Sequence, residues 1–167
     1  MKKVVFSLLC LTLFIFAQEK IYYEDDLDVE EAYAMMQKGA ILIDVRSAGE
    51  FIYAGHPLKA ISIPIFFYRY EPKDIKLRIN FAKKEQTKPL DAHKIYTITP
   101  VENKNFLESV KKVRNILGNK AILVICRSGA RSKYAANLLA KNGLSEVYNV
   151  EGGFLEWKKA KLPFGGE

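Results

Sequence analysis

The stretch of sequence that decides the fold is Ala121-Ile122-Leu123-Val124-Ile125-Cys126-Arg127-Ser128-Gly129-Ala130-Arg131-Ser132. Its first five residues are apolar, mostly branched and without alternation, which predicts a strand buried on both faces. A cysteine and a short polar turn follow, and a helical pattern begins at Ser132. Sites in α/β sheets form beyond the carboxyl ends of strands, so this turn is the candidate functional loop.

Strand and helix patterns alternate along the rest of the chain. Asp28 and Glu31 form a predicted capping box for a first helix. The other predicted strands cover residues 40–45, 60–64 and 146–150, and the other helices cover residues 48–53, 104–117, 132–141 and 154–160. This order predicts an α/β fold: a single domain with a mainly parallel central sheet and helices on both faces. A length of 167 residues, with 49% hydrophobic and 27% charged residues, fits one packed domain.

The N-terminus has the pattern of an export signal. Met1-Lys2-Lys3 is basic, and residues 4–17 are almost wholly apolar but shorter than the roughly 20 residues that span a bilayer. We expect a signal peptide at residues 1–17, and an exported, periplasmic protein with no membrane contact after cleavage. The alternatives are an uncleaved anchor and a lipoprotein modified at Cys10, which bulky Leu9 disfavours. Cleavage would lower the net charge from +7 to +5 and leave Cys126 as the single cysteine.

The predicted domain limits follow from composition. Residues 18–26 form a polar linker, and residues 27–167 form the domain. The segment 66–101 is aromatic and basic and is interrupted by prolines, so it is an extended segment with one predicted helix at Lys76 to Lys84. It could be a lid or a docking surface for a partner. Its basic residues form no nucleic-acid module, so no nucleic-acid partner is expected.

Three features of the loop favour a reactive thiolate at Cys126. Backbone N–H groups of such a turn can converge on one atom, the following helix begins with partial positive charge, and Arg127 and Arg131 add formal charge. A thiolate is a nucleophile, so Cys126 is the candidate catalytic residue. The alternative is a buried cysteine that acts as a small hydrophobe. The polar neighbours argue against burial in the apolar core. His56 and His93 have no ligand spacing, so no metal and no cofactor are expected.

The sequence resembles the rhodanese family along most of the predicted mature chain. Four pieces carry the resemblance in family order: Leu42 to Ser47 followed by Glu50-Phe51 and Gly55-His56, then Ala60 to Pro64, then Cys126 to Ser132, then Asn149 to Gly153 with Trp157. Pro57 and Lys59 depart from the family pattern, at a turn outside the candidate loop. Segment 66–101 matches no family signature.

The resemblance implies a sulfurtransferase. Cys126 would take sulfane sulfur from thiosulfate or a polysulfide as a persulfide and pass it to a nucleophilic acceptor such as cyanide or a thiol. The loop would hold the persulfide and the anionic donor; its residues are Arg127, Ser128, Gly129, Ala130, Arg131 and Ser132. Of the two arginines, Arg131 is expected to face the substrate.

Other residues receive mostly structural interpretations. Asp44, at a strand end, is expected to anchor neighbouring loops by hydrogen bonds rather than to act in catalysis. Arg46 is expected to pair with Glu50 or another acid, with a substrate role as the alternative. His56 is interpreted as a turn residue, Gly152-Gly153 as a tight backbone turn near the site, and Trp157 as core.

Two other functions are consistent with a cysteine loop. A cysteine phosphatase or arsenate reductase would need an arginine at the position that Ser132 occupies. A non-enzymatic persulfide carrier would hand its sulfur to a protein thiol that docks on segment 66–101. Transfer of sulfur from thiosulfate to cyanide separates the enzyme from both alternatives.

Overall fold

A computed structural model describes residues 20–84 and 94–166 of the chain. The predicted signal peptide at residues 1–17, the first two residues of the predicted linker, and His93 lie outside the described residues. Within the described ranges, no helix combines the length and the apolar character needed to cross a membrane.

The described elements alternate in the predicted manner. In chain order they are β1 (Asp25–Leu27), α1 (Val29–Gln37), β2 (Ile41–Asp44), α2 (Ala48–Tyr53), β3 (His56–Pro57), β4 (Ile61–Ser62), β5 (Phe66–Pro72), α3 (Ile75–Lys84), β6 (Tyr96–Glu102), α4 (Phe106–Leu117), β7 (Ile122–Ile125), α5 (Ala130–Lys141), β8 (Val147–Val150), α6 (Gly153–Lys159) and β9 (Phe164–Gly165). The predicted capping box is present, because Asp28 accepts from the Glu31 N–H and Glu31 accepts from the Asp28 N–H.

A five-stranded parallel sheet forms the centre of the domain, with strand order β1-β8-β7-β2-β4. Every residue of β2 and β7 is buried, as their unbroken apolar sequences predict. Ile122 and Val124 of β7 pack on one face with residues of α4 and α5. Leu123 and Ile125 pack on the other face with residues of α1 and α6. The prediction of a parallel sheet covered by helices on both faces is confirmed.

The predicted polar linker at residues 18–26 is wrong at its C-terminal end. Tyr23 is 5% exposed, and Asp25–Leu27 pairs in parallel with β8 as an edge strand. The sequence did not predict this strand because residues 25–27 contain no apolar run. Side-chain hydrogen bonds hold it instead: Asn149 donates to Asp26 over 2.7 Å, and Lys133 donates to Asp26 over 3.3 Å.

Segment 66–101 contains an antiparallel ribbon that the sequence did not predict. Strands β5 and β6 pair from Phe66↔Glu102 to Pro72↔Tyr96. Prolines at positions 72 and 100 argued against strands, but both strands of an isolated ribbon are edge strands, where proline is tolerated. The predicted helix at Lys76 to Lys84 is confirmed as α3. The ribbon leaves the sheet after β4 and returns before α4, on the side of the domain where α5 begins.

Candidate active site

The loop after β7 wraps its backbone around the sulfur of Cys126. The Gly129 N–H donates to Sγ over 3.2 Å, and the Ser132 hydroxyl lies 3.4 Å from Sγ. Helix α5 begins at Ala130, two residues earlier than predicted, so its free N–H groups surround the thiol. Gly129 has a φ of 102°, a conformation that glycine adopts without strain. The sequence therefore places the helix start directly over the cysteine.

Two opposing effects set the pKa of Cys126. Burial raises it, because a thiolate loses hydration inside the protein. Hydrogen bonds lower it: one comes from the Ser132 side chain, and others come from the backbone N–H groups of Ser132, Ser128 and Gly129. The hydrogen bonds prevail, and the pKa of Cys126 lies below its ordinary value. The predicted activation of the thiol thus has its main cause in the loop backbone and Ser132.

The Ser132 hydroxyl has two acceptors for one proton. It lies 2.9 Å from the Gly129 carbonyl oxygen and 3.4 Å from Cys126 Sγ. An ionised sulfur accepts more strongly than a neutral one, so thiolate formation favours the bond to Sγ. Ser132 also occupies the position where a cysteine phosphatase would need an arginine. The Ser132 side chain is buried, and its hydroxyl donates toward Cys126 Sγ.

The expectation that polar neighbours keep Cys126 out of the apolar core is wrong. The residue is 1% exposed and belongs to the cluster formed by Ile122, Val124 and residues of α4 and α5. The reason is strand alternation, which places Cys126 on the same face as Ile122 and Val124. The next two side chains, of Arg127 and Ser128, are exposed. The sulfur is therefore almost fully covered, although the two residues that follow it are exposed.

Arg131 forms a two-point ion pair with Glu50 of α2. Its Nη2 donates to Glu50 Oε1 over 2.6 Å and its Nη1 donates to Oε2 over 2.8 Å. Burial raises the pKa of Glu50, but hydrogen bonds from Arg131 and Ser47 bring it down to about 2. The hydrogen bond to Glu50 is the largest cause that raises the pKa of Arg131, and the negative charge of Glu50 adds to it. Arg131 thus lies near the sulfur with its charge matched by a carboxylate.

Arg127 differs from Arg131 in its surroundings. Its side chain is exposed, and no carboxylate within the described ranges forms an ion pair with it. The side chains of Ser128 and Ala130 are exposed as well. The loop therefore brings together the sulfur, the N–H groups and Ser132, while the Arg127 side chain is exposed beside them. The expectation that Arg131 is the arginine available to the substrate fits poorly with its pairing to Glu50.

The N-terminus of α6 donates hydrogen bonds to the start of the loop from Cys126 to Ser132. Phe154 N–H donates to the Cys126 carbonyl over 2.8 Å, and Leu155 N–H donates to the Arg127 carbonyl over 3.1 Å. Gly153 makes this contact sterically feasible. It has a φ of 60°, and a Cβ at this position would lie 2.5 Å from the Cys126 carbonyl oxygen. The predicted tight backbone turn at Gly152-Gly153 is confirmed.

Asp44 and Arg46 form a buried scaffold below the site. Arg46 Nη2 donates to Asp44 over 2.6 Å and to the Gly55 carbonyl over 2.7 Å. Its guanidinium also lies 4.3 Å from the centre of the Phe154 ring. Both residues are at most 1% exposed, so the anchoring role of Asp44 is confirmed and a substrate role for Arg46 is not supported. Glu50, the acid first considered for Arg46, instead binds Arg131.

The remaining predictions concern structural residues. The His56 ring stacks on Phe51 at 3.7 Å, and its Nδ1 lies 2.9 Å from the Phe51 carbonyl oxygen, so His56 has a structural role. The interpretation of His56 as a turn residue is wrong, because it lies in β3 and pairs with Gly165 of β9. Trp157 is fully buried and belongs to the core. Within residues 20–84 and 94–166, no group of three His, Cys, Asp or Glu side chains is placed to hold a metal ion.

Sequence reasoning missed one residue at the site. Tyr68 of β5 accepts a hydrogen bond from Arg131 Nη1 over 3.2 Å. Its ring thereby brings the ribbon to the edge of the loop. The sequence gave no indication of this contact because segment 66–101 matches no family signature and its strands were not predicted.

Comparison with known proteins identifies the family. The profile of the rhodanese-like domain matches residues 28–160. The chain belongs to the rhodanese-like family. Among the relatives, Thiosulfate sulfurtransferase 18 of Arabidopsis thaliana is 30% identical over 143 residues, which are 84% of this chain and 83% of the relative. The matched range includes the loop from Cys126 to Ser132.

Solved structures support the same fold. The crystal structure of Rv0390 from M. tuberculosis superposes with a TM-score of 0.56 at 20% identity, over 87% of this chain and 99% of that chain. A rhodanese-like domain from Anabaena superposes with a TM-score of 0.55 at 18% identity, over 86% and 80%. At these identities the likeness concerns the fold alone. The rhodanese-like fold expected from the sequence is confirmed.

Proposed function

We propose that this rhodanese-like protein is a sulfurtransferase that moves sulfane sulfur from thiosulfate or a polysulfide to a thiophilic acceptor through a persulfide on Cys126. The observation that carries the proposal is the position of Cys126 Sγ, which accepts hydrogen bonds from the loop backbone and Ser132 at the start of α5. This arrangement stabilises a negative charge on sulfur, which is what both the thiolate and a deprotonated persulfide carry. The name of the Arabidopsis relative, a thiosulfate sulfurtransferase, agrees with it.

The first half-reaction loads the cysteine. The Cys126 thiolate attacks the outer sulfur of thiosulfate, a bond forms between Sγ and that sulfur, and the sulfur–sulfur bond of thiosulfate breaks. Sulfite leaves with the electron pair, and the outer sulfur stays on Cys126 as a persulfide anion. Exposed Arg127 attracts the anionic donor, while Arg131, held by Glu50, positions the loop edge. The 1% exposure of Cys126 favours a donor that presents one terminal sulfur atom.

The second half-reaction returns the free thiolate. A nucleophilic acceptor, such as cyanide or a thiol, attacks the outer sulfur of the persulfide. The bond from that sulfur to Sγ breaks, and Cys126 leaves as the thiolate that the loop stabilises. Because the donor product leaves before the acceptor reacts, ping-pong kinetics are expected. The described residues perform both steps with one nucleophile and one set of N–H donors.

Mass spectrometry tests the proposal directly. After incubation with thiosulfate and removal of small molecules, the protein should gain one sulfur atom, and peptide mapping should place it on Cys126. Cys126→Ser should gain none at this site, and turnover of thiosulfate with cyanide should fall to background. Ser128→Ala is the matched control, because its side chain is exposed on the same loop and the backbone N–H is retained. A wild-type protein that is folded, reduced and still unmodified would contradict the proposal.

The ribbon favours a second candidate, a persulfide carrier for a partner protein. Phe67 is 54% exposed and Val101 is 41% exposed, and the two are paired on the ribbon face opposite Tyr68. Exposed apolar side chains of this kind are typical of protein contacts. A carrier would form the persulfide yet turn over slowly with cyanide and rapidly with a protein thiol. Fast turnover with cyanide, unaffected by Phe67→Asp, would exclude this candidate.

A further inference from the structure

One face of the ribbon follows helix α5 toward the catalytic loop. The Phe66 ring stacks on Tyr134, with centroids 5.7 Å apart. Two residues further along β5, Tyr68 meets Arg131, which lies one helical turn closer to the start of α5. Alternate residues of a strand share a face, so Tyr70 continues this row. The direction of β5 therefore carries its side chains from the middle of α5 to the loop of Cys126.

The row extends past the start of the helix as an exposed apolar surface. The Tyr70 ring lies 6.5 Å from the Tyr68 ring and is 58% exposed. Ile98 of β6 pairs with Tyr70 and points to the same face. We name Tyr68, Tyr70 and Ile98 the aromatic wall. Because Tyr68 contacts Arg131 in the first turn of α5, the wall begins at the edge of the loop that holds Cys126.

The charges beside the aromatic wall are balanced. Arg131, the cation that touches Tyr68, is paired at both terminal nitrogens with Glu50. The wall itself contributes two phenol rings and an aliphatic side chain. Aromatic rings bind apolar groups and make favourable contacts with divalent sulfur. This surface suits a sulfur compound with an organic remainder better than a second inorganic anion.

We propose that the aromatic wall is a binding subsite for the organic remainder of a small thiol acceptor, and that Tyr68 is a specificity-determining residue. The proposal rests on the sulfurtransferase function proposed above and names the class of its acceptor. The acceptor thiol gives its proton to the outer sulfur of the Cys126 persulfide anion, and the acceptor thiolate then attacks that sulfur. A sulfur–sulfur bond forms to the acceptor, the bond to Sγ breaks with its electron pair, and Cys126 leaves as a thiolate. The acceptor departs as an organic persulfide, with the proton on its outer sulfur.

Ping-pong kinetics allow the acceptor step to be measured alone. With thiosulfate as donor, kcat/KM for the acceptor reports only the reaction of the loaded enzyme. The measurement compares benzyl mercaptan, which has an aromatic remainder, with cyanide, which has none. The ratio of the two kcat/KM values should fall by roughly tenfold in Tyr68→Ala, the size of effect that one lost apolar contact surface produces. Tyr70→Ala should lower the same ratio, and Tyr68→Phe should restore most of it because the ring is retained.

Phe67→Ala is the matched control, because Phe67 lies on the same strand but faces away from α5. Its ratio should stay within about twofold of the wild type, as expected for a substitution outside the subsite. An equal loss for both acceptors in Tyr68→Ala, or an unchanged ratio in both tyrosine variants, would overturn the subsite. Persulfide formation on wild-type Cys126 separates the two proposals: if it occurs while the ratio does not respond, only the subsite fails.

Discussion

Cys126 combines burial with stabilised charge, and this combination depends on a few donors. A buried thiol with no donors would have a raised pKa and would be unreactive near neutral pH. Here the N–H of Gly129 and the hydroxyl of Ser132 point at Sγ. The hydroxyl is the only one of these donors that a side-chain substitution removes without altering the backbone. It therefore offers a direct test of how the loop activates the thiol.

Ser132→Ala should make Cys126 less acidic. Loss of the hydroxyl leaves burial, which raises the pKa, opposed by fewer hydrogen bonds. A hydrogen bond to a charged acceptor contributes about 1.5 kcal/mol, so the thiolate fraction below the midpoint should fall by roughly tenfold. The pH dependence of alkylation by iodoacetamide measures this change. Ser128→Ala, which keeps its backbone N–H, is the control and should have the same pH profile as the wild type. If Ser132→Ala also had the wild-type profile, the backbone alone would activate the thiol.

At the residue scale, local patterns were more predictable than contacts between distant residues. The reactive loop, the glycine turn at Gly152-Gly153 and the anchoring role of Asp44 follow from short stretches of sequence. The pairing of Glu50 with Arg131 joins residues 81 positions apart on different helices. Sequence reasoning instead considered Glu50 as a partner of Arg46, which lies closer along the chain. Which acid meets which arginine depends on how the helices pack, and no local pattern contains that information.

At the element scale, the loop from Cys126 to Ser132 is held between two helices. Helix α5 supplies N–H groups to the sulfur, and α6 supplies N–H groups to the carbonyls of Cys126 and Arg127. Each helix start has free N–H groups that need partners, and the loop satisfies some from each helix. The close approach of α6 requires that residue 153 has no side chain.

Gly153→Ala should displace the loop from α6. The added Cβ would lie 2.5 Å from the Cys126 carbonyl oxygen and 2.7 Å from the Arg127 carbonyl carbon, both backbone atoms. The φ of 60° adds strain for any residue with a Cβ. We expect a loss of stability of about 2 kcal/mol or more in urea denaturation, together with slower persulfide formation.

Gly49→Ala provides the control for Gly153→Ala. Gly49 lies in the exposed part of α2, and a Cβ there would meet no atom within 4 Å. Alanine is favoured over glycine inside a helix, so this variant should be more stable by about 0.5 kcal/mol. If Gly153→Ala were as stable and as active as the control, the clamp between α6 and the loop would be disproved.

The elements that the sequence predicted are those with the strongest periodic patterns. Strands β2 and β7 are continuous apolar runs between polar residues, and the helices around them have identifiable starts. The strands that were missed, which are β1, β3, β5, β6 and β9, lack such patterns. Strand β1 is acidic and is held by hydrogen bonds to Asp26, and the β5–β6 ribbon contains prolines and exposes most of its residues. Their pairing partners, rather than their own sequences, determine them.

At the scale of the whole molecule, the ion pair of Glu50 and Arg131 joins three separate parts of the chain. Glu50 belongs to α2, Arg131 lies in the first turn of α5, and Tyr68 belongs to the ribbon. The side chains of Glu50 and Arg131 are 28% and 22% exposed, so the pair is partly protected from solvent. A charge interaction of this kind couples the stability of the fold to pH. Protonation of Glu50 on α2 would also remove the charge that holds Arg131 at the edge of the loop.

Stability should fall in acid because of Glu50. Its pKa is about 2 in the folded protein and 4.5 ordinarily, so the unfolded chain binds the proton more readily. The stabilisation is complete above the ordinary pKa and is lost as the pH falls from there toward 2. Glu50→Gln should therefore be less stable than the wild type at pH 7, by about 2 kcal/mol once solvent screening is allowed for. Urea denaturation of both proteins between pH 7 and pH 2.5 should show this difference shrink as the carboxylate of the wild type is protonated.

Glu108→Gln is the control, since the 76% exposed Glu108 pairs with Lys111 only at the surface and its substitution should cost at most about 0.5 kcal/mol. A difference between wild type and Glu50→Gln that stays constant across this range would mean that Arg131 does not stabilise the charge of Glu50, and that its place beside the loop has another cause.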